Sequence, residues 1–137
     1  YRKTRARLAA RAKLLVRERL MTNGAEAAKT EFTVYLEGED SGADLVSRSV
    51  AKGRSHQEFV SRIVGTTRCT GHSECDAILA DKATVVATPA LEDAHLDASL
   101  IHEAAIGKIA GEQLMKLRTL GLTEEQAEEK IIAGFLK

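Results

Sequence analysis

Cys69, His72 and Cys75 read C-x2-H-x2-C, a close grouping of soft and borderline metal ligands. Thiolate and imidazole together invite zinc, but a structural zinc site takes four ligands, and no second pair at ligand spacing follows. Backbone geometry adds an objection. On one continuous strand Cys69 and Cys75 share a face while His72 points to the other, so only a turn at Gly71 would gather all three. Two other readings stay open: a pair of buried, inert thiols, or Cys75 as a functional thiolate. The chain has no other cysteine. Two are too few for a disulfide framework, so the expectation is reduced thiols in a cytoplasmic setting. His56 and His95 have no partner signal and read as ordinary surface residues. The phosphate-loop signature G-x-x-x-x-G-K-[ST] does not occur, so any ATPase activity has to come from outside.

The frame that positions these residues is one domain of 137 residues, long enough to bury a core. Twenty Lys and Arg balance twenty Asp and Glu, aromatics make up 4% and Trp is absent. That combination offers neither a phosphate-neutralising field nor a base-stacking platform and argues against nucleic acid as a partner. The longest mostly apolar run, Ala83 to Leu91, is broken by Thr84, Thr88 and Pro89, and falls short of the ~20 residues of a spanning helix. With Tyr1 in place of an initiator Met, the chain is expected to be a piece of something longer.

Propensity makes the first twenty residues a helix, because they are rich in Arg, Ala and Leu. Periodicity disagrees. Arg5, Arg7, Arg11, Lys13, Arg17 and Arg19 fall on odd positions, and the apolar residues from Ala6 to Leu20 fall mostly on even ones. This is the period of a half-buried strand, with Ala9, Leu15 and Glu18 as exceptions, and it predicts β structure from Arg5 to Arg19. FTVYLEG, ADLVSRSV and EFVSRIV repeat the strand signal. Turn chemistry at Asn23-Gly24, Gly38, Asp40-Ser41-Gly42, Gly53, Gly65 and Gly71 separates them. Many short strands without intervening long helices exclude a doubly wound α/β fold and leave a barrel, a sandwich or a β-solenoid.

From about Ala105 the period changes to helical, with Ile106, Ile109, Ala110, Leu114 and Leu117 on one face. Gly121 stands at a helix C-terminus, and Thr123 with Gln126 forms a capping box that opens a second helix. Ala127, Ile131 and Phe135 stripe that helix. Glu124, Glu125, Glu128 and Glu129 suit its positive dipole end as a solvated face, with a docking face as the alternative.

The segment ECDAIL, taken with the final LIHEAAIGKIAGEQLMKLRTLGLTEEQAEEKIIAGFLK, resembles the C-terminal core of the SufB/SufD family of iron-sulfur cluster assembly scaffolds, in its compact form. The resemblance covers most of the chain. It implies a mainly β fold, a right-handed parallel β-helix over residues 1–104, followed by a C-terminal helical segment over 105–137 packed on it. Pro89 matches a proline of the family pattern and is expected to bend one coil. The implied function is a scaffold rather than an enzyme. It would hold a transient iron-sulfur cluster and work with a SufC-like ATPase that docks on the C-terminal helices. The implied assembly is a homodimer or a pair with a SufB/SufD-type subunit, without nucleic acid or membrane.

In this resemblance Cys75 takes the place of the cysteine needed for cluster assembly. Glu103 takes that of a functional glutamate in SufB, and His102 that of a functional histidine in SufD. Thiolate, imidazole and carboxylate together suit iron. If the segment is extended, His102 and Glu103 point to opposite faces, so a shared site would draw ligands from two chains. Cys69 and His72 are the weaker candidates. The rival readings are an architectural SufD-like docking subunit without its own cluster, and a zinc-stabilised β domain.

Overall fold

The computed structural model describes all 137 residues. Eight strands come first: β1 (Arg2–Leu8), β2 (Lys13–Thr22), β3 (Ala27–Leu36), β4 (Ser41–Ala51), β5 (His56–Gly65), β6 (Cys69–Leu79), β7 (Thr84–Asp93) and β8 (Ala98–Lys108). Two helices follow, α1 (Gly111–Thr119) and α2 (Glu124–Phe135). The odd-numbered strands form one sheet in the order β1-β3-β5-β7, and the even-numbered strands form a second in the order β2-β4-β6-β8. Every pairing is parallel. Arg2 pairs with Thr30, Thr30 with Phe59 and Phe59 with Ala87, so one coil takes 28 or 29 residues. The chain is a parallel β-solenoid of about four coils, followed by two helices.

The corners stack as the strands do. Gly24, Gly53 and Asp81 occupy one corner with positive φ, and Arg11 and Asp40 occupy the other. Arg54 N–H donates to the Gly24 carbonyl and Lys82 N–H to that of Gly53, at 2.8 and 2.9 Å. At the second corner, Arg11 N–H reaches the Glu39 carbonyl and Asp40 N–H that of Arg68, both at 2.8 Å. Each corner thus satisfies its neighbour's backbone donors, which a buried turn otherwise leaves orphaned.

The Arg5 to Arg19 segment is β, but as two strands. The chain turns through Ala9–Ala12, with Arg11 at φ 62°, and because this corner uses four residues the parity survives it. Two of the three parity exceptions are real departures from inside-apolar, outside-polar. Leu15 points outward and is 67% exposed, whereas Glu18 points inward and is buried. Ala9 lies in the corner itself.

Inside, Leu8, Val34, Leu36, Leu45 and Ile63 form an apolar core, joined by Cys69 and Cys75. Phe32 and Phe59, on neighbouring strands, pack as a tilted pair 5.9 Å apart. Much of the rest of the interior is polar and hydrogen-bonded, with the buried Ser41 hydroxyl as an exception. Glu18 Oε1 accepts from Ser47 Oγ at 2.8 Å and from Thr30 Oγ1 at 3.2 Å, and its other oxygen faces Arg2. Gln57 donates to Thr22 Oγ1 and to the Val50 carbonyl, and Thr22 donates to Ser55. Ser73 Oγ bonds Ser61 Oγ at 2.8 Å. Buried polar groups are tolerated when partnered in this way.

The expected start of the helical segment, near Ala105, is corrected. β8 continues to Lys108, and helix begins only at Gly111. Pairing with β6 extends to Ile78↔Gly107 and Leu79↔Lys108, so sheet hydrogen bonds override the helical spacing of Ile106 and Ile109. The strand β7 runs through Pro89 unbroken. It is the edge of its sheet, where a missing N–H deprives no next strand.

The turn between the helices has Gly121 at φ 92°, with its N–H on the Arg118 carbonyl and Leu122 N–H on that of Leu117, a Schellman arrangement. Thr123 and Gln126 form the capping box. Arg19 donates to the carbonyls of Leu136 and Lys137, and Lys52 pairs with Glu128 at 3.3 Å. These ties lay α2 on the outward face of β2 and β4. Val46 and Val50, at outward positions there, are buried, as are Ala127 and Ile132 of α2. Ile131 and Phe135 of the predicted stripe are half-buried.

Gly71, between the two cysteines on β6, has no room for a side chain. A Cβ there would lie 2.8 Å from Leu100 Cδ2 and 2.9 Å from Ile63 Cγ2. Gly71→Val is therefore expected to destabilise the domain by about 2 kcal/mol or more through overpacking. Gly107→Ala, where the space is open, is expected to be neutral. Urea unfolding of the two variants checks the difference.

Candidate metal centre

The register of β4, β6 and β8 decides which candidate residues meet. β6 is one unbroken strand from Cys69 to Leu79, with no turn at Gly71. Cys69 and Cys75 therefore face the interior and His72 faces out, so the C-x2-H-x2-C grouping is not assembled around one ion. The zinc reading that needs all three loses its geometry.

Across the interior, Ser47 pairs with Cys75 and Cys75 with Ala104, while Ser73 pairs with His102. Cys75 and His102 thus point inward on adjacent strands, diagonally related. Glu18 pairs with Ser47, which places an acid two strands from the thiol in the same row. Cys75 is 1% exposed, and burial first, then the charges of Asp76 and Glu18, push its thiol up to about 11. Burial also raises the Cys69 thiol. His102 is half-buried, and its Nδ1 is enclosed without a hydrogen-bond partner. Desolvation, with the nearby charge of His72, holds its imidazole below the ordinary histidine range. The imidazole thus shares the interior with the Cys75 thiol, one strand away.

Glu103, the next residue, lies on the opposite face as strand geometry requires, and it is exposed. There it meets His72, whose Nε2 is 2.9 Å from Glu103 Oε2. The other ring nitrogen of His72 lies 2.7 Å from Asp44 Oδ1. Hydrogen bonds to Asp44 and then Glu103 raise the His72 pKa above its ordinary value. Glu74, the register partner of Glu103, stands 4.0 Å from His72 Nε2. A hydrogen bond with Asp76, then burial, raises the pKa of Glu74.

The five sequence candidates therefore divide into an inner set, Cys69, Cys75 and His102, and an outer pair, His72 and Glu103. Asp44 and Glu74 complete the outer group and were missed, as was Glu18 inside. The available signal was the coil length. Asp44 precedes His72 by one coil, and Glu74 precedes Glu103 by one coil.

Comparison with known proteins bears on what this arrangement serves. Residues 3–135 match the family described as SUF system FeS cluster assembly, SufBD core domain. An iron-sulfur cluster assembly SufBD family protein of Methanothermobacter thermautotrophicus is 42% identical over 105 residues, covering 75% of this chain and 26% of the relative. A SufBD family protein of Pyrococcus horikoshii is 37% identical over 112 residues, 81% of this chain and 34% of that one. The ycf24 protein of Galdieria sulphuraria, of the same family, is 26% identical over 121 residues, 85% of this chain and 55% of its own. The chain thus spans about a quarter to a third of the archaeal relatives. With a family match that runs through all eight strands and both helices, the chain belongs to the SufBD core domain family of iron-sulfur cluster assembly.

Proposed function

We propose that this chain is a scaffold unit on which an iron-sulfur cluster is built as cargo, with Cys75 and His102 as the interior donors. The observation that carries the reading is the unpartnered, enclosed Nδ1 of His102 on the strand next to Cys75. A thiolate is the soft ligand iron-sulfur chemistry takes, and neutral imidazole is the accepted substitute. One chain offers fewer than the four ligands a cubane takes, so the cluster is completed by a second chain or by the sulfur and iron donors. The chain's own contribution is ligation and shelter rather than turnover. Its two free thiols fit a cytoplasmic setting.

The second chain, in this reading, is a copy of the first or a SufB/SufD-type subunit that pairs at the last coil. β7 and β8 are both sheet edges, with unpaired backbone groups open to another strand. Val86, Leu96 and Ile101 are exposed on the same coil. A two-fold contact at this edge brings two copies of His102 and Glu103 towards each other. The ATPase partner belongs at the helices. Glu128 is engaged by Lys52, and Glu124 by Arg118, at 3.3 and 3.7 Å. Glu125 and Glu129 remain the acids free to steer a basic partner.

The architectural alternative, a docking subunit without its own cluster, has one observation in its favour: Cys75 is a core residue with a strongly raised pKa. Anaerobic reconstitution with iron and sulfide decides between the two. Cys75→Ser is expected to abolish the cluster spectrum, Cys69→Ser to retain most of it, and His102→Ala to reduce it. Because the thiol ionises only near pH 11, the loading rate of the wild type is expected to rise roughly tenfold per pH unit between 7 and 8. A cluster that forms equally well in Cys75→Ser favours the architectural subunit.

In sedimentation at micromolar concentration the chain is expected to be a dimer, and Ile101→Lys is expected to make it a monomer. For the ATPase, reversing Glu125 and Glu129 to Lys is expected to slow association several-fold at low salt and to leave dissociation nearly unchanged, as read by stopped-flow or surface binding. Equal rates for the two proteins would place the docking surface elsewhere.

A further inference from the structure

The outward face of β4, β6 and β8 carries a second group of ligands, separated by the sheet from Cys75 and His102. One ligand atom each from His72, Glu74 and Glu103 lies within 4.8 Å of the others, and His72 Nε2 is 4.0 Å from Glu74 and 2.9 Å from Glu103. Asp44 Oδ1 holds the other imidazole nitrogen at 2.7 Å. A carboxylate on Nδ1 fixes which nitrogen of a histidine faces a metal, and such partners orient ligating histidines generally. Here the nitrogen so aimed points at the two glutamates.

Charge argues in the same direction. Glu74 and Glu103 are direct register partners on one face, and like charges placed opposite each other destabilise a sheet. Asp44 and Asp76 bring the patch to four carboxylates. The cations facing it are Arg17, committed to Asp44 at 2.6 Å, and Arg48, no nearer than 3.9 Å to Glu74 and 4.0 Å to Asp76. His72 alone approaches Glu103, which has no Lys or Arg partner. A divalent cation on His72 Nε2 would displace the proton shared with Glu103 and still leave the patch with more positive charge than the imidazole alone provides.

We propose that His72, Glu74 and Glu103 form a mononuclear site for a divalent first-row metal ion, with Asp44 as the residue that orients His72. One imidazole and two carboxylates suit a borderline-to-hard ion such as Mn(II), Fe(II), Co(II) or Zn(II), and the absence of sulfur disfavours Cu(I) or a cluster. Metal bonds of about 2.1 Å set neighbouring ligand atoms about 3.0–3.4 Å apart. The His72–Glu103 edge, at 2.9 Å, already nearly meets this; the His72–Glu74 edge is 4.0 Å and no edge exceeds 4.8 Å, so Glu74 has to move inward by about 1 Å on binding. Glu103 is exposed on an edge strand, so in the single chain the remaining coordination positions open to water, and in the proposed pairing they face the second chain. The site uses neither Cys75 nor His102, the interior donors, and the one residue it has in common with the proposed two-chain edge is Glu103.

The test titrates the whole chain, as Cys75→Ser so that thiolate is silent, with Mn(II), and follows loss of the free-ion EPR signal. Binding of one Mn(II) per chain is expected. His72→Ala and Glu103→Gln are expected to weaken it tenfold or more, His72→Gln likewise, and Asp44→Asn by about tenfold with the other ligands intact. Thermal melts verify that each variant is folded. The proposal is overturned if both His72 variants, folded, bind Mn(II) as tightly as the parent. It is overturned equally if Mn(II) binds wild type but not Cys75→Ser, which would place the ion inside. Loss of cluster reconstitution in Cys75→Ser with Mn(II) binding retained separates the two sites.

Discussion

Parallel pairing of each strand with the one a coil later is the constraint on which the rest of this molecule depends. Every coil adds 28 or 29 residues, and strand side chains alternate with period two. A single slip of register would exchange inside for outside along a whole strand. That rigidity gives His102 and Glu103, adjacent in sequence, two unrelated environments. It also sets Asp44 against His72 and Glu74 against Glu103, residues that nothing in their local sequence connects. Chemistry in this fold is organised along rows that cross strands, and a row's membership is fixed by coil length.

The interior shows what this constraint permits. A solenoid encloses a narrow core in which side chains from two sheets meet, and Leu36, Leu45 and Ile63 fill one part of it completely. The other part is lined with polar residues, among which Thr22, Ser47, Gln57, Ser73 and Glu18 are hydrogen-bonded to one another or to neighbours. Cys75 lies between them, packed with the apolar cluster yet in a row with Ser47 and Glu18. This explains its reluctance to ionise: desolvation comes from the apolar side and like charge from the acid row. An iron ion arriving there would reverse both effects, since a coordinating thiol is deprotonated by the ion itself.

Much of this was legible in the sequence, for physical reasons. Alternation at residues 5–19 outweighed helix propensity because burial on one face is worth more than intrinsic backbone preference. The opposed faces of Cys75 and His72, and of His102 and Glu103, followed from strand geometry alone. The capping box at Thr123 was visible because its chemistry is local. Three things were hidden. The corner at Ala9–Ala12 left no glycine or proline mark, since Arg11 itself takes the left-handed conformation. Ile106 and Ile109 sat at helical spacing, while the hydrogen bonds that keep β8 extended to Lys108 come from β6, some thirty residues away. The outer ligand group needs the coil length, which no repeated motif announces.

The coil made of β7 and β8 rests on only one neighbour. In a quasi-one-dimensional stack each coil is held by nearest-neighbour contacts, so resistance to opening is graded along the axis and is weakest at such an end. His102 and Glu103 sit on that terminal coil, and Cys75 on the one beneath it. Peeling away one layer, rather than unfolding the domain, therefore lays the thiol bare. A second chain clamped on β8 would control how often that happens. The reach of solvent and oxidant to Cys75 is thereby tied to the breathing of the terminal coil and to how firmly that end is closed.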